Sequence, residues 1–170
     1  TLDDICWTLN IRGNDIEFFP LVLSYAVITM DKVDLYINEA KLNSEIKADL
    51  EKDGVVLHPY NDIYEDIKKT ASDEVLLIDP ARLNYALYNN IPEGVAKVEE
   101  RNPEILFKAI KNEVEIENIR KAQIKDSVAH VKFMKWLKEN VGKMTITEIS
   151  ASDKLDEFRA EQGNFIRPSF

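Results

Sequence analysis

The chain has 170 residues, 45% of them hydrophobic and 31% charged, which gives enough apolar material for one substantial core, or one domain and part of another, and sets it apart from disordered chains. Lys plus Arg number 22 against 31 Asp plus Glu, and the net charge of -9 opposes binding to nucleic acid phosphates or anionic membranes. Cys6 is the single cysteine, so no internal disulfide forms and a reducing, cytoplasmic compartment is expected.

The first residues are acidic, unlike a secretory signal, and Ile5 to Ile11 reads as a β-strand of branched, aromatic and aliphatic residues with Cys6 buried in it. Arg12-Gly-Asn-Asp15 is a turn signal. The most apolar run, Phe18 to Met30, is interrupted by Pro20 and Ser24 and is too short to span a membrane. Leu21 to Met30 and Val33 to Asn38 pair as a hairpin with Asp31-Lys32 as a two-residue connection, and Leu35 and Ile37 alternate with Asp34 and Tyr36 as in a sheet with one face toward a core. Helical spacing of Leu42, Ile46 and Leu50 runs up to Gly54, a left-handed stop, and Val55 to Leu57 is a short strand.

Asp62 and Glu65 form a capping pair for a helix carrying Ile63 and Ile67, Val75 to Ile78 is a buried strand, and Asp79-Pro80 opens a helix over Ala81 to Asn90. Val95 to Val98 is a further strand, and Asn102-Pro103 caps a short helix. Strands alternating with helices predict an α/β fold, a mixed sheet with flanking helices, over residues 1–108. From residue 109 to 170 the pattern is helical. Asn112 caps a long helix with Glu115 three residues on, and Ile124, Val128, Val131, Met134, Leu137 and Val141 keep one face against a core. Thr145 with Glu148 signals a second helix ending before Gly163, with Ile146, Ile149, Leu155 and Phe158 facing the first in an antiparallel hairpin. The stretch from Asn164 to Phe170 is extended, stops without a polar tail and reads as a truncated end.

The residues offer little chemistry. His58 and His130 lie far apart without metal-ligand spacing, so each reads as structural or surface. Asp3-Asp4, Glu99-Glu100 and Glu113-Val-Glu115-Ile-Glu117 read as caps and solvated faces, with Glu117 and Lys121 at ion-pair spacing. There is no nucleophile elbow, phosphate loop or dinucleotide fingerprint, and Trp7, Tyr25, Phe133 and Trp136 read as core. One polar cluster, Asn10-Ile-Arg12-Gly-Asn-Asp15, leaves a strand end in a loop. Arg12 could take a peptide carboxylate bidentately at a substrate rim or tie its loop to a neighbouring carboxylate.

Two stretches carry a resemblance. Lys111-Asn-Glu-Val-Glu-Ile-Glu-Asn-Ile-Arg120, followed by Ile124-Lys-Asp-Ser-Val-Ala129, resembles the helix that opens the catalytic "pita-bread" domain of the creatinase, prolidase and aminopeptidase P metallopeptidases. Leu2-Asp-Asp-Ile-Cys-Trp-Thr-Leu-Asn-Ile-Arg-Gly-Asn-Asp-Ile16, with Pro20 and Ser24-Tyr-Ala-Val-Ile28, resembles the start of the second domain of three-domain members. Val56-Leu-His-Pro-Tyr60, Thr147-Glu-Ile-Ser-Ala151 and Lys154 to Arg159 follow in the family's order. The resemblance implies a homodimeric parent enzyme acting on peptides with proline at the second position. Two aspartates, a histidine and two glutamates would hold two metal ions, usually manganese, that activate a water. Those ligands belong to the part of the catalytic domain after the helices seen here, so no catalytic residue and no bound ion is expected within these residues. The rival expectation is a non-catalytic assembly or binding domain.

Overall fold

The structure, a computed structural model, describes residues 1–168. It divides into two compact units, Thr1–Ala109 and Ile110–Phe170.

The first unit is α/β. Helix α1 (Leu2–Thr8) is followed by strands β1 (Ser24–Ile28) and β2 (Val33–Ile37), helix α2 (Ser44–Lys52), strand β3 (Val55–Pro59) and helix α3 (Ile63–Asp66). Then come β4 (Val75–Ile78), α4 (Tyr85–Asn90), β5 (Ala96–Glu99) and α5 (Glu104–Ala109). Strands β1, β2 and β3 form a mixed sheet in that order, with β1 antiparallel and β3 parallel to β2. The other two strands make a separate parallel pair, β4 with β5.

Strand β2 is the centre of the unit and is covered on both faces, whereas its period-two pattern suggested one. Leu35 and Ile37 are fully buried with Cys6, Val22, Leu50 and Val55, and Val33 packs beside them. Tyr36 points the other way into a cluster with Ile63 and Leu87 from α3 and α4, and Asp34 is also buried on that side. Both faces are dry because helices follow the strands on each side, the geometry of an α/β layer. The hairpin from β1 to β2 turns through Thr29 to Lys32 rather than two residues, since the Thr29 amide bonds the Lys32 carbonyl at 3.0 Å and its hydroxyl accepts from the Asp31 and Lys32 amides. Gly54 ends α2 at φ 80°, as its place after the helix implies.

The structure departs from the sequence pattern at three helix starts. The segment expected to be a strand at Ile5 to Ile11 is mostly helix α1: Thr1 and Asp4 form a capping box, and Ile5, Cys6 and Leu9 face the core at helical spacing. Asn10 takes φ 49° and the Ile11 amide reaches back to the Cys6 carbonyl at 3.1 Å, so the helix closes with a left-handed residue before any strand begins. Pro80 sits in a turn rather than at a helix start; α4 begins later, where the Asn84 side chain accepts from the Ala86 amide at 2.8 Å. Asp62 makes no side-chain cap for α3.

The second unit has helix α6 (Glu113–Asn140), capped by Asn112 and Glu115 as expected, and helix α7 (Glu148–Glu161), capped by Thr147 with Ser150 rather than by Thr145 with Glu148. The helices are tied by Arg159 to Asp126 at 2.9 Å and Lys132 to Glu161 at 2.7 Å. The face of α6 with the least exposure holds Asp126, Ala129, His130, Phe133, Trp136, Leu137 and Asn140, and only Ala129 is fully buried. Ile124, Val128, Val131, Met134 and Val141, read as a core stripe, are exposed, as is Ile149 at 76%. Two apolar stripes share α6, and the one beside α7 is the covered one. Residues 164–168 have no regular structure, whereas Phe170 lies outside the described residues.

Candidate functional site

In open α/β sheets ligands bind outside the carboxyl ends of parallel strands. There, after β2 and β3, the first unit has a cleft of about 630 Å³ lined by Leu23, Ile37, Asn38, Glu39, Pro59 and Tyr60, among others, a size ordinary for a small-molecule site. Its rim is internally paired. Lys41 donates to Asp15 at 2.6 Å, and that hydrogen bond, with one from the Leu23 amide, holds the Asp15 carboxyl below the usual carboxylate range. Asn38 accepts from the Ala40 amide and Glu39 pairs with Lys47. Such a cleft can bind; it offers no activated nucleophile.

Arg12 lies on the loop after α1, exposed, and its Nη1 donates to the Cys6 carbonyl at 3.0 Å and the Ile11 carbonyl at 2.7 Å. The guanidinium thus adds a second donor to the Cys6 carbonyl in the last turn of α1 and ties it to the loop carbonyl of Ile11. It does not line the cleft.

His58 is on β3, with Nε2 2.8 Å from Asp34 Oδ1 and its ring stacked 4.7 Å from that of Tyr36. Lys32 donates to the same carboxylate at 3.0 Å. Burial opposes the charge on Asp34, but the hydrogen bonds from Lys32 and His58 outweigh it and keep the carboxyl below its ordinary range. Burial, with the Asp66 and Asp34 carboxylates nearby, pushes Tyr36 up to about 12. No local pattern announces this group, because Asp34 looked like the solvent side of an alternating strand.

The burial of a second acid was also missed. Asp4, read with Asp3 as a cap or a solvated face, does cap α1 but is 1% exposed and receives Lys108 Nζ at 2.7 Å, Asn102 Nδ2 at 3.3 Å and the Thr1 hydroxyl at 2.6 Å. Burial again works against its charge, and the bonds from Lys108 and Thr1 prevail, so its carboxyl stays below the usual range. Lys108 stands so far from Asp4 in sequence that no local pattern joins them. Glu117 and Lys121 form the expected pair at 3.4 Å. In the second unit His130 Nδ1 lies 3.3 Å from Asp126, and Phe133 stacks 6.0 Å from Trp136.

Among the described residues no three His, Cys, Asp or Glu side chains converge as a metal ion requires. The two imidazoles are in different units, each against its own aspartate. The described residues do not fit a two-metal centre.

Residues 1–115 match the Creatinase/Prolidase N-terminal domain family. The chain belongs to that family. Its match to the creatinase/prolidase N-terminal domain takes in every strand of the first unit. Across 99% of the chain it is 39% identical to Xaa-Pro aminopeptidase 1 of Dictyostelium discoideum and 43% identical to a probable Xaa-Pro aminopeptidase P of Paracoccidioides brasiliensis. An X-prolyl aminopeptidase of Caenorhabditis elegans, described as a cytosolic enzyme with a di-nuclear active site, superposes on 99% of the chain with a TM-score of 0.91 at 34% identity. This creatinase/prolidase chain spans 27%, 30% and 28% of the length of those three proteins.

Proposed function

We propose that residues 1–108 are the second domain, and residues 109–170 the opening helices of the catalytic domain, of an Xaa-Pro aminopeptidase. The whole protein hydrolyses the bond between an N-terminal residue and a following proline, in the cytoplasm and as a homodimer, without nucleic acid or membrane partners. Two metal ions, manganese by preference, are held by residues outside this chain. The observation that carries the reading is likeness running through both units to a structure described as di-nuclear. Among the described residues no helix is long and apolar enough to cross a membrane, which accords with it. Arg12, exposed and anchored through one nitrogen, is assigned to the rim of the substrate path, so Arg12→Ala in the full-length protein raises KM for longer peptides with kcat little changed.

The test compares full-length protein with the 170 residues alone, each given manganese and an Xaa-Pro peptide beside its Xaa-Ala counterpart. The full-length protein is expected to cleave only the former, and the 170 residues neither. Turnover by the 170 residues alone would overturn the placement of the metal ligands, and an inactive full-length protein would favour a binding or assembly role.

A further inference from the structure

Helix α5, which carries the chain out of the first unit, is attached by charge with little burial. None of its residues is buried, and neither hydrophobic cluster includes one. Leu106 and Phe107 are 61% and 58% exposed, so docking removes little apolar surface from water and the usual driving force is weak. One polar side holds it instead. Lys108 Nζ donates to Asp3 at 2.5 Å as well as to buried Asp4, and the Thr8 hydroxyl donates to Glu104 at 3.0 Å. Glu104 and Lys108 are four residues apart and so share a face of the helix. Asn102, just before α5, reaches the same Asp4 and also accepts from the Glu104 amide at 3.1 Å.

Asp4 is the fixed point, since it is packed into the unit while its partner Lys108 keeps 26% of its side-chain exposure. Contacts of this type weaken with salt according to how exposed they are, and an apolar seam does not. We infer that α5 is a detachable strap, opening from α1 as a local unit ahead of the sheet and its two clusters. Its release frees the segment between the first unit and α6. Elements that supply core residues, such as β2, open only when the unit unfolds as a whole.

Hydrogen exchange on the full-length protein reads this at Ile105, Leu106 and Phe107, whose amides bond the Asn102 and Pro103 carbonyls, with β2 as internal reference. Raising salt from about 0.05 M to about 1 M is expected to speed exchange in α5 about threefold while β2 is unchanged. Lys108→Met, which takes the lysine cation from a buried carboxylate and leaves it only the Thr1 and Asn102 hydrogen bonds, should speed it about tenfold or more. Asp3→Asn removes only the exposed partner and leaves Asp4 paired, so it should fall between, and it serves as the test if the lysine variant does not fold. Exchange in α5 that follows β2 under every condition, or that responds to neither salt nor substitution, overturns the strap.

Discussion

Leu35→Ala tests whether β2 is the centre of the first unit. Leu35 is fully buried, packed with Cys6, Val22, Ile37, Leu50 and Val55. Removing Cγ and both Cδ atoms forfeits about 2.5 kcal/mol of transfer free energy at roughly 0.8 kcal/mol per carbon. The cavity left between sheet and helices adds about 1 kcal/mol if it collapses in part, for a total of about 3.5 kcal/mol. With a urea m-value of about 2 kcal/mol/M the midpoint falls by about 1.7 M. The two units need not unfold together, so the probe must belong to the first. Trp7 lies in α1 and Trp136 in α6, and these are the only two tryptophans; with Trp136→Phe as background, fluorescence follows Trp7 alone. Leu77, 52% exposed on β4, is the control. If Leu35→Ala costs under about 1 kcal/mol, or Leu77→Ala costs as much, the assignment of the core is wrong.

A Cβ on Gly13 would stand 2.9 Å from Val22 Cβ and 3.0 Å from the Leu21 carbonyl, so Gly13→Ala should cost about 1–3 kcal/mol in the same urea titration. Asn112 accepts from the Glu115 amide at 2.8 Å, and Asn112→Ala should lower the thermal midpoint of the second unit by the loss of about 1 kcal/mol, read by circular dichroism. Acid should destabilise the first unit. The Lys108 hydrogen bond, with that of Thr1, brings Asp3 down to about 2, and Asp4, Asp15 and Asp34 are also lowered. Carboxyls depressed in the folded state bind fewer protons than in the unfolded chain, so their stabilisation is whole above pH about 4 and fades as pH drops toward about 2. A melting temperature of the first unit that stays level from pH 5 to about 2 would contradict this.

The parts of the fold legible in the sequence were those where one local rule acted alone. The capping box of Asn112 and Glu115, the left-handed stop at Gly54 and the pairing of the strands on either side of Asp31 and Lys32 appear, and Val75 to Ile78 is a strand, though Val75 and Leu77 are exposed where burial was expected. Where two rules competed, the sequence misled. Cys6, Trp7 and Thr8 favour a strand by type, yet Ile5, Cys6 and Leu9 sit at helical spacing behind a capped end, and burial decided for the helix. Helix α6 bears two apolar stripes, and nothing local tells which one meets α7. The buried acids were hidden for another reason: Asp34 is matched by His58 on a strand from later in the chain, and Asp4 by a lysine on the last helix of the unit. Arg12 stands on a loop, and one of the two carbonyls it holds, that of Cys6, belongs to a helix that had been read as a strand.

The two-sided burial of β2 gives that strand a parity. Odd positions Val33, Leu35 and Ile37 serve one cluster, while of the even positions Tyr36 serves the other and Asp34 meets His58, so a shift by one residue would put a carboxylate among aliphatic side chains and move Leu35 against His58. Evolution can therefore lengthen or shorten this part of the chain only outside the paired segments. The tip at Met30, 98% exposed, is where an added residue can bulge outward and leave the phase of both strands intact.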